Sequence, residues 1–125
     1  MEVWIFGNPD LPEDSLPIRL HSELMKRFPA LSFRILDPLD EWQIPDKLEM
    51  IDTVRGIDHV RAFTSLDEFE GSPHVTMHDF DLGMQLRFLA KLKKLPPFIM
   101  YGVPDTFSVG QALRELTPML DQRAR

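Results

Sequence analysis

Cysteine is absent from the 125-residue chain. Disulfides, Cys-ligated zinc, iron–sulfur clusters and thiol nucleophiles are thereby excluded together. Any chemistry must come from carboxylates, histidine, hydroxyls, lysine, arginine or the backbone. Surplus positive charge is also missing: 14 Lys and Arg stand against 20 Asp and Glu, for a net charge of −6. No run of cations is dense enough to neutralise phosphates, so nucleic acid is not an expected partner. No apolar stretch nears the roughly 20 residues that a membrane helix needs, so no membrane contact is expected. The longest uncharged apolar run near the C-terminus, Leu95 to Val103, is strand-sized and contains two prolines. The start, Met1-Glu2-Val3-Trp4, lacks the basic and apolar regions of a signal peptide, which makes a cytoplasmic protein the default expectation.

Proline, by contrast, is plentiful, with eleven residues placed at the joints between segments. Stiff, short connections follow from that placement rather than disorder. Residues 1–125 have the length of a single domain with a real core.

Val3 to Phe6 is a short apolar run ended by Gly7-Asn8-Pro9, the pattern of a strand buried on both faces. Asp14 to Phe28 has helical spacing, with Leu16, Leu20, Leu24 and Phe28 four apart and Pro17 in the first turn. Leu31 to Leu36 alternates and predicts a second strand. Pro38 to Pro45 is a loop or a single helical turn, with Trp42 tacked onto the core. Lys47 to Val54 predicts a third strand and Gly56 a turn. Asp58 to Phe63 alternates polar and apolar residues, as expected of an edge strand paired to its predecessor as a hairpin. Ser65 to Val75 is polar and predicts a loop.

A long helix is expected from Thr76 to about Lys94, opened by the capping-box pattern Thr76-Met77-His78-Asp79. Its apolar residues (Phe80, Leu82, Met84, Leu86, Phe88, Leu89 and Leu92) wrap more than half the circumference, so part of it is core or meets a partner. Phe98 to Val103 predicts a further buried strand. Ser108-Val109-Gly110-Gln111 is a second capping box, opening a helix with Val109, Ala112, Leu113, Leu116 and Leu120 on one stripe and Pro118 ending or bending it. The order β-α-β-β-β-α-β-α implies an α/β fold: a mostly parallel sheet with helices on both faces.

Ligand sites in such sheets form beyond the carboxyl ends of the strands, and three places there carry candidate chemistry. Gly7 to Asp14 joins the first strand to the first helix. One glycine beside two acids makes a poor phosphate loop, because the acids repel a phosphate. Glu13 and Asp14 read either as acids at a helix start, favoured by the macrodipole, or as part of a cation site. Asp52, inside Met50-Ile51-Asp52-Thr53-Val54, is a carboxylate in an apolar strand. It must be hydrogen-bonded, paired or metal-bound to offset desolvation. His78 falls at an expected helix start, where the positive end keeps imidazole neutral and available as ligand or base. His21, His59 and His74 read as packed or surface residues. Two carboxylates and an imidazole suit a borderline divalent metal, nickel or zinc, with open coordination positions. Spacing alone does not establish that set, because its members come from separate segments.

These blocks, in this order, resemble the hydrogenase maturation proteases, endopeptidases that trim the C-terminal tail of the nickel–iron hydrogenase large subunit. The matching residues are Val3-Trp4-Ile5-Phe6-Gly7-Asn8, then Glu13-Asp14 and Ile18-Arg19-Leu20; Ile51-Asp52-Thr53-Val54; Thr76-Met77-His78; and Ile99-Met100-Tyr101-Gly102-Val103. The resemblance spans nearly the whole chain. It implies an α/β/α sandwich around a twisted, mostly parallel five-strand sheet with one antiparallel edge strand. It also implies that Asp14, Asp52 and His78 are the metal-contacting and catalytic residues. Nickel already inserted in the large-subunit precursor would be the recognition signal, so that the partner is the precursor and the metal arrives with it; a divalent metal such as zinc fits the same ligands. Ser15 and Pro17 stand where the family carries glycines, which motivates an alternative: a non-catalytic binding or assembly protein on the same fold. A monomer is the simpler expectation for a protease that must admit a large partner.

Overall fold

The computed structural model describes residues 2–37, 40–70, 76–77 and 80–123. Along the chain run β1 (Glu2–Ile5), α1 (Leu16–Arg27), β2 (Ser32–Ile35), β3 (Leu48–Arg55), β4 (Arg61–Phe63), the one-turn α2 (Asp67–Glu70), β5 (Thr76–Met77), α3 (Phe80–Lys91), β6 (Phe98–Pro104) and α4 (Val109–Arg123). The main sheet has the order β2-β1-β3-β6-β4. β1 pairs in parallel with β2 and β3, and β3 pairs in parallel with β6 from Leu48–Phe98 to Val54–Pro104. Only β4, at the far edge, runs antiparallel within this path. The expected α/β architecture with one antiparallel edge strand is therefore present.

Period-2 alternation in the strands divides the core into two layers. Val3, Ile5, Ile51, Tyr101 and Val103 face α1 and α4, which bury Leu16, Leu20, Leu24, Ala112, Leu116 and Leu120. Trp4, Phe6, Met50, Val54 and Met100 face the other way, onto Leu82 and Leu86 of α3. β3 is covered on both faces and both edges, so all its residues from Leu48 to Val54 are buried. Trp42 packs on this second layer. Its ring meets Trp4 edge-on at 5.4 Å and lies 5.6 Å from Phe6, as the sequence predicts.

Three expectations are corrected. The edge strand does not form a hairpin with β3. β3 already has β1 on one side and β6 on the other, so β4 takes the free edge of β6, with Arg61 opposite Gly102. The Ser65–Val75 loop contains the helical turn α2, while residues 71–75, including His74, lie outside the described residues. The long helix does not start at Thr76. Thr76 and Met77 form β5, antiparallel to the end of β3, and α3 begins at Phe80. Backbone pairing to Arg55 and Val54 competes with the capping pattern and wins. α3 also stops earlier than Lys94. Lys93 has φ 58, and its N–H bonds to Ala90 O while that of Lys94 bonds to Leu89 O. That is a Schellman stop made without glycine.

Other local expectations hold. Ser108 Oγ accepts from Gln111 N at 3.2 Å while Gln111 Oε1 accepts from Ser108 N at 2.8 Å, a reciprocal capping box. Pro118, by contrast, does not end α4, which continues through it to Arg123. From α4, Glu115 reaches back to the β3–β4 connection, accepting from Val60 N at 2.8 Å and meeting His59 Nδ1 at 3.1 Å. The Val60 bond first, and His59 second, hold the Glu115 carboxyl below its ordinary value.

A lowered folded-state value means that this tether is fully present above the unfolded glutamate pKa, about 4.3, and is lost as pH falls through the folded value. Hydrogen exchange should show the Val60 amide still protected where free glutamate protonates, with protection collapsing in stronger acid; Glu115→Gln should flatten that profile. Replacing Lys93, an exposed non-glycine in the left-handed region, with glycine should raise unfolding stability by about 1 kcal/mol in denaturant titration.

Candidate functional site at the carboxyl rim of the sheet

Phe6 N donates to Ile51 O at 2.9 Å, the last rung between β1 and β3. Gly7 and Asn8 then turn away from the sheet. They turn onto Asp14: Asn8 N donates to Asp14 O at 2.9 Å, and a Cβ on Gly7 would sit 2.7 Å from that same oxygen. Only glycine allows this approach. Asn8 Oδ1 accepts from Asp10 N, Leu11 N donates to Asn8 O, and Asp14 N donates to Leu11 O. The loop thus closes on itself through a short 3-10 turn, Pro12–Asp14, and leaves Asp14 buried. Its amides at residues 8, 10 and 11 are consumed internally, which removes the donors that a phosphate cradle would use.

Asp14 is not an N-cap acid. Ser15 holds the N-cap position of α1, makes no side-chain cap bond, and the first turn contains no acid. Ser15 Oγ instead donates to Pro12 O and accepts from Arg19 Nε. Of the two readings open for Asp14, helix capping is the weaker.

Asp52 is 0 % exposed. Alternation along β3 explains its geometry. Leu48 N donates toward the β6 side, to Pro97 O, and Ile51 O accepts from the β1 side. Thr53 N therefore points to the β1 edge, where the next rung would go to Phe6 O. Because β1 has turned away, Asp52 Oδ1 accepts the stranded N–H at 2.8 Å. One residue further, the same edge is taken up by β5, with Val54 opposite Met77 and Arg55 opposite Thr76. β1 and β5 thus approach one edge of β3 from opposite directions and stop short of each other at Asp52–Thr53. The chain leaving β1 enters α1 on one face, and the chain leaving β5 enters α3 on the other. In open α/β sheets a divergence of this kind, beyond the carboxyl ends of the strands, is where ligands bind.

The structure brings two of the three expected site residues to this rim. Asp52 neighbours Phe6 across the strand pair, and Asp14 is seated on Gly7, the next residue along. His78 lies outside the described residues, as does Asp79; β5 ends at Met77, immediately before His78 and opposite Val54. Among the described residues, no group of three or more His, Asp or Glu side chains is gathered tightly enough to hold a metal ion. The two carboxylates alone match the oxygen half of a divalent donor set, and completing it requires the histidine.

Thr53 escaped the sequence reading. It is 0 % exposed, and its Oγ1 has no hydrogen-bond partner among the described residues. A hydroxyl beside an aspartate in an otherwise apolar strand was the available signal. Glu49, also buried, sits at the amino end of β3, away from the rim. The two described histidines follow expectation as structural residues: His21 Nε2 bonds Phe33 O at 3.1 Å, and His59 meets Glu115. Comparison of the chain with family models, curated proteins and solved structures finds no match in any of the three.

If Asp52 supports the rim by taking the Thr53 amide, Asp52→Asn, which keeps an acceptor oxygen, should unfold close to the parent chain. Asp52→Ala should lose about 1–3 kcal/mol, the cost of a buried amide without an acceptor. Equilibrium denaturation of both variants checks this; equal losses would contradict it.

Proposed function

We propose that the chain is a maturation endopeptidase that removes the C-terminal extension of a nickel–iron hydrogenase large subunit after nickel insertion. The observation that carries this reading is the split edge of β3. Buried Asp52 lies at that edge, buried Asp14 sits in the turn packed on Gly7 where β1 leaves the sheet, and β5 ends at Met77, one residue before His78 in the sequence. The five-strand α/β/α architecture agrees with it. So does the internal closure of the Gly7 loop, which disfavours a nucleotide site.

In this reading nickel belongs to the substrate. Asp14, Asp52 and His78 fill coordination positions left open in the precursor, so only a metal-loaded subunit docks productively. Hydrolysis adds a water oxygen to the scissile carbonyl carbon, breaks the C–N bond and passes one water proton to the departing amine. The carbonyl must be polarised and the water deprotonated, and a divalent cation beside buried carboxylates supplies both. The hydroxide-generating group is either the metal or a rim carboxylate. No helix among the described residues is long and apolar enough to cross a membrane, and a cytoplasmic monomer meeting a soluble precursor fits the proposal.

The deciding assay incubates the chain with nickel-loaded and nickel-free precursor and follows tail removal by mass spectrometry. Cleavage of the loaded form alone is expected, with His78→Ala and Asp52→Asn each slowing it by about 100-fold or more. Unchanged processing by both variants would remove the site assignment. Stable retention of the loaded precursor without cleavage would point instead to a non-catalytic assembly role on this fold, which Ser15 and Pro17 in the place of flexible glycines favour.

A further inference from the structure

α3 buries one stripe, Leu82, Leu86 and Leu89, and exposes another. Met84 is 54 % exposed and Phe88 56 %, and Leu92, just past the helix end, is 48 % exposed. The spacing of four makes them one ridge, with Arg87 and Lys91 alongside. Met84, Arg87, Phe88 and Lys91 line a shallow groove of about 500 Å³. Singly exposed apolar residues need no explanation, but three on one ridge with a groove beside them do.

Charge narrows the occupant. The chain as a whole is acidic, at −6, yet residues 80–104 contain four cations, Arg87, Lys91, Lys93 and Lys94, against the one acid Asp81. All four cations are exposed. A second copy docking by two-fold symmetry would set Arg87 and Lys91 against their own counterparts, which disfavours it. We infer that the outer face of α3 is a docking surface for an acidic amphipathic helix of a partner protein. The partner's apolar residues, at i, i+3 or i+4, and i+7, would seat on Met84, Phe88 and Leu92, and its carboxylates would flank Arg87 and Lys91. This inference stands on α3 alone and does not depend on the reading of the rim.

The probe is a synthetic, fluorescently labelled helical peptide with Leu at those positions and Glu on its flanks, paired with the same peptide carrying Lys for Glu. Anisotropy titration of the intact chain should show saturable binding of the acidic peptide, weakening as salt rises. Binding of the basic peptide should be at least about tenfold weaker. Phe88→Ala and the double variant Arg87→Glu, Lys91→Glu should each weaken the acidic peptide by about tenfold or more. Both change exposed positions, and circular dichroism verifies that the fold is kept. Equal binding of the two peptides, no saturable binding of either, or self-association in sedimentation that Phe88→Ala abolishes would each overturn the inference.

Discussion

The rim of this molecule is organised by a single hydrogen-bonding constraint. A strand buried on both faces cannot leave an amide without an acceptor, and β3 loses its neighbour halfway along one edge. β1 stops bonding at Ile51, β5 starts at Val54, and the Thr53 amide falls between them. A carboxylate from the preceding residue takes that amide. Asp52 is therefore part of the sheet's own hydrogen-bond ladder. The burial of an acid at this point, costly anywhere else in an apolar strand, follows from the departure of β1.

Much of the architecture was legible in the sequence because it follows from periodicity. The apolar runs of β1, β3 and β6, the four-residue spacing in α1 and the stripe in α4 each appear where the pattern puts them, within a residue or two. Non-local competition was not legible. Arg61–Phe63 alternates as an edge strand should, but nothing local states that both edges of β3 are already taken. Thr76-Met77-His78-Asp79 satisfies a capping rule, and only the proximity of Arg55 and Val54 turns its first two residues into a strand. The end of α3 lacks the glycine that usually marks such a stop, and Lys93 adopts the left-handed backbone in its place.

The candidate site divides in the same way. Asp14 and Asp52 could be picked out as acids at strand ends, and strand order explains why they share a rim. The Gly7–Asp14 contact that seats one of them is a backbone approach that no spacing rule encodes. On the surface the molecule separates two chemistries: buried carboxylates where β1 and β5 part, and cations with apolar side chains on the outer face of α3. If α3 receives a partner's helix, that partner lies along the element that covers Met50 and Val54, the neighbours of Asp52 on the same face of β3.

The contact between Trp4 and Trp42 gives this fold a built-in optical probe. The chain has only these two indoles, one inside β1 and the other on the loop that crosses the sheet, 5.4 Å apart and inclined by 67°. Rings so close and so tilted couple their electronic transitions, so lifting the loop would alter near-ultraviolet circular dichroism and emission without any label. Movement over this part of the sheet can be followed in the native chain, with Phe6 as a silent third wall of the aromatic cluster.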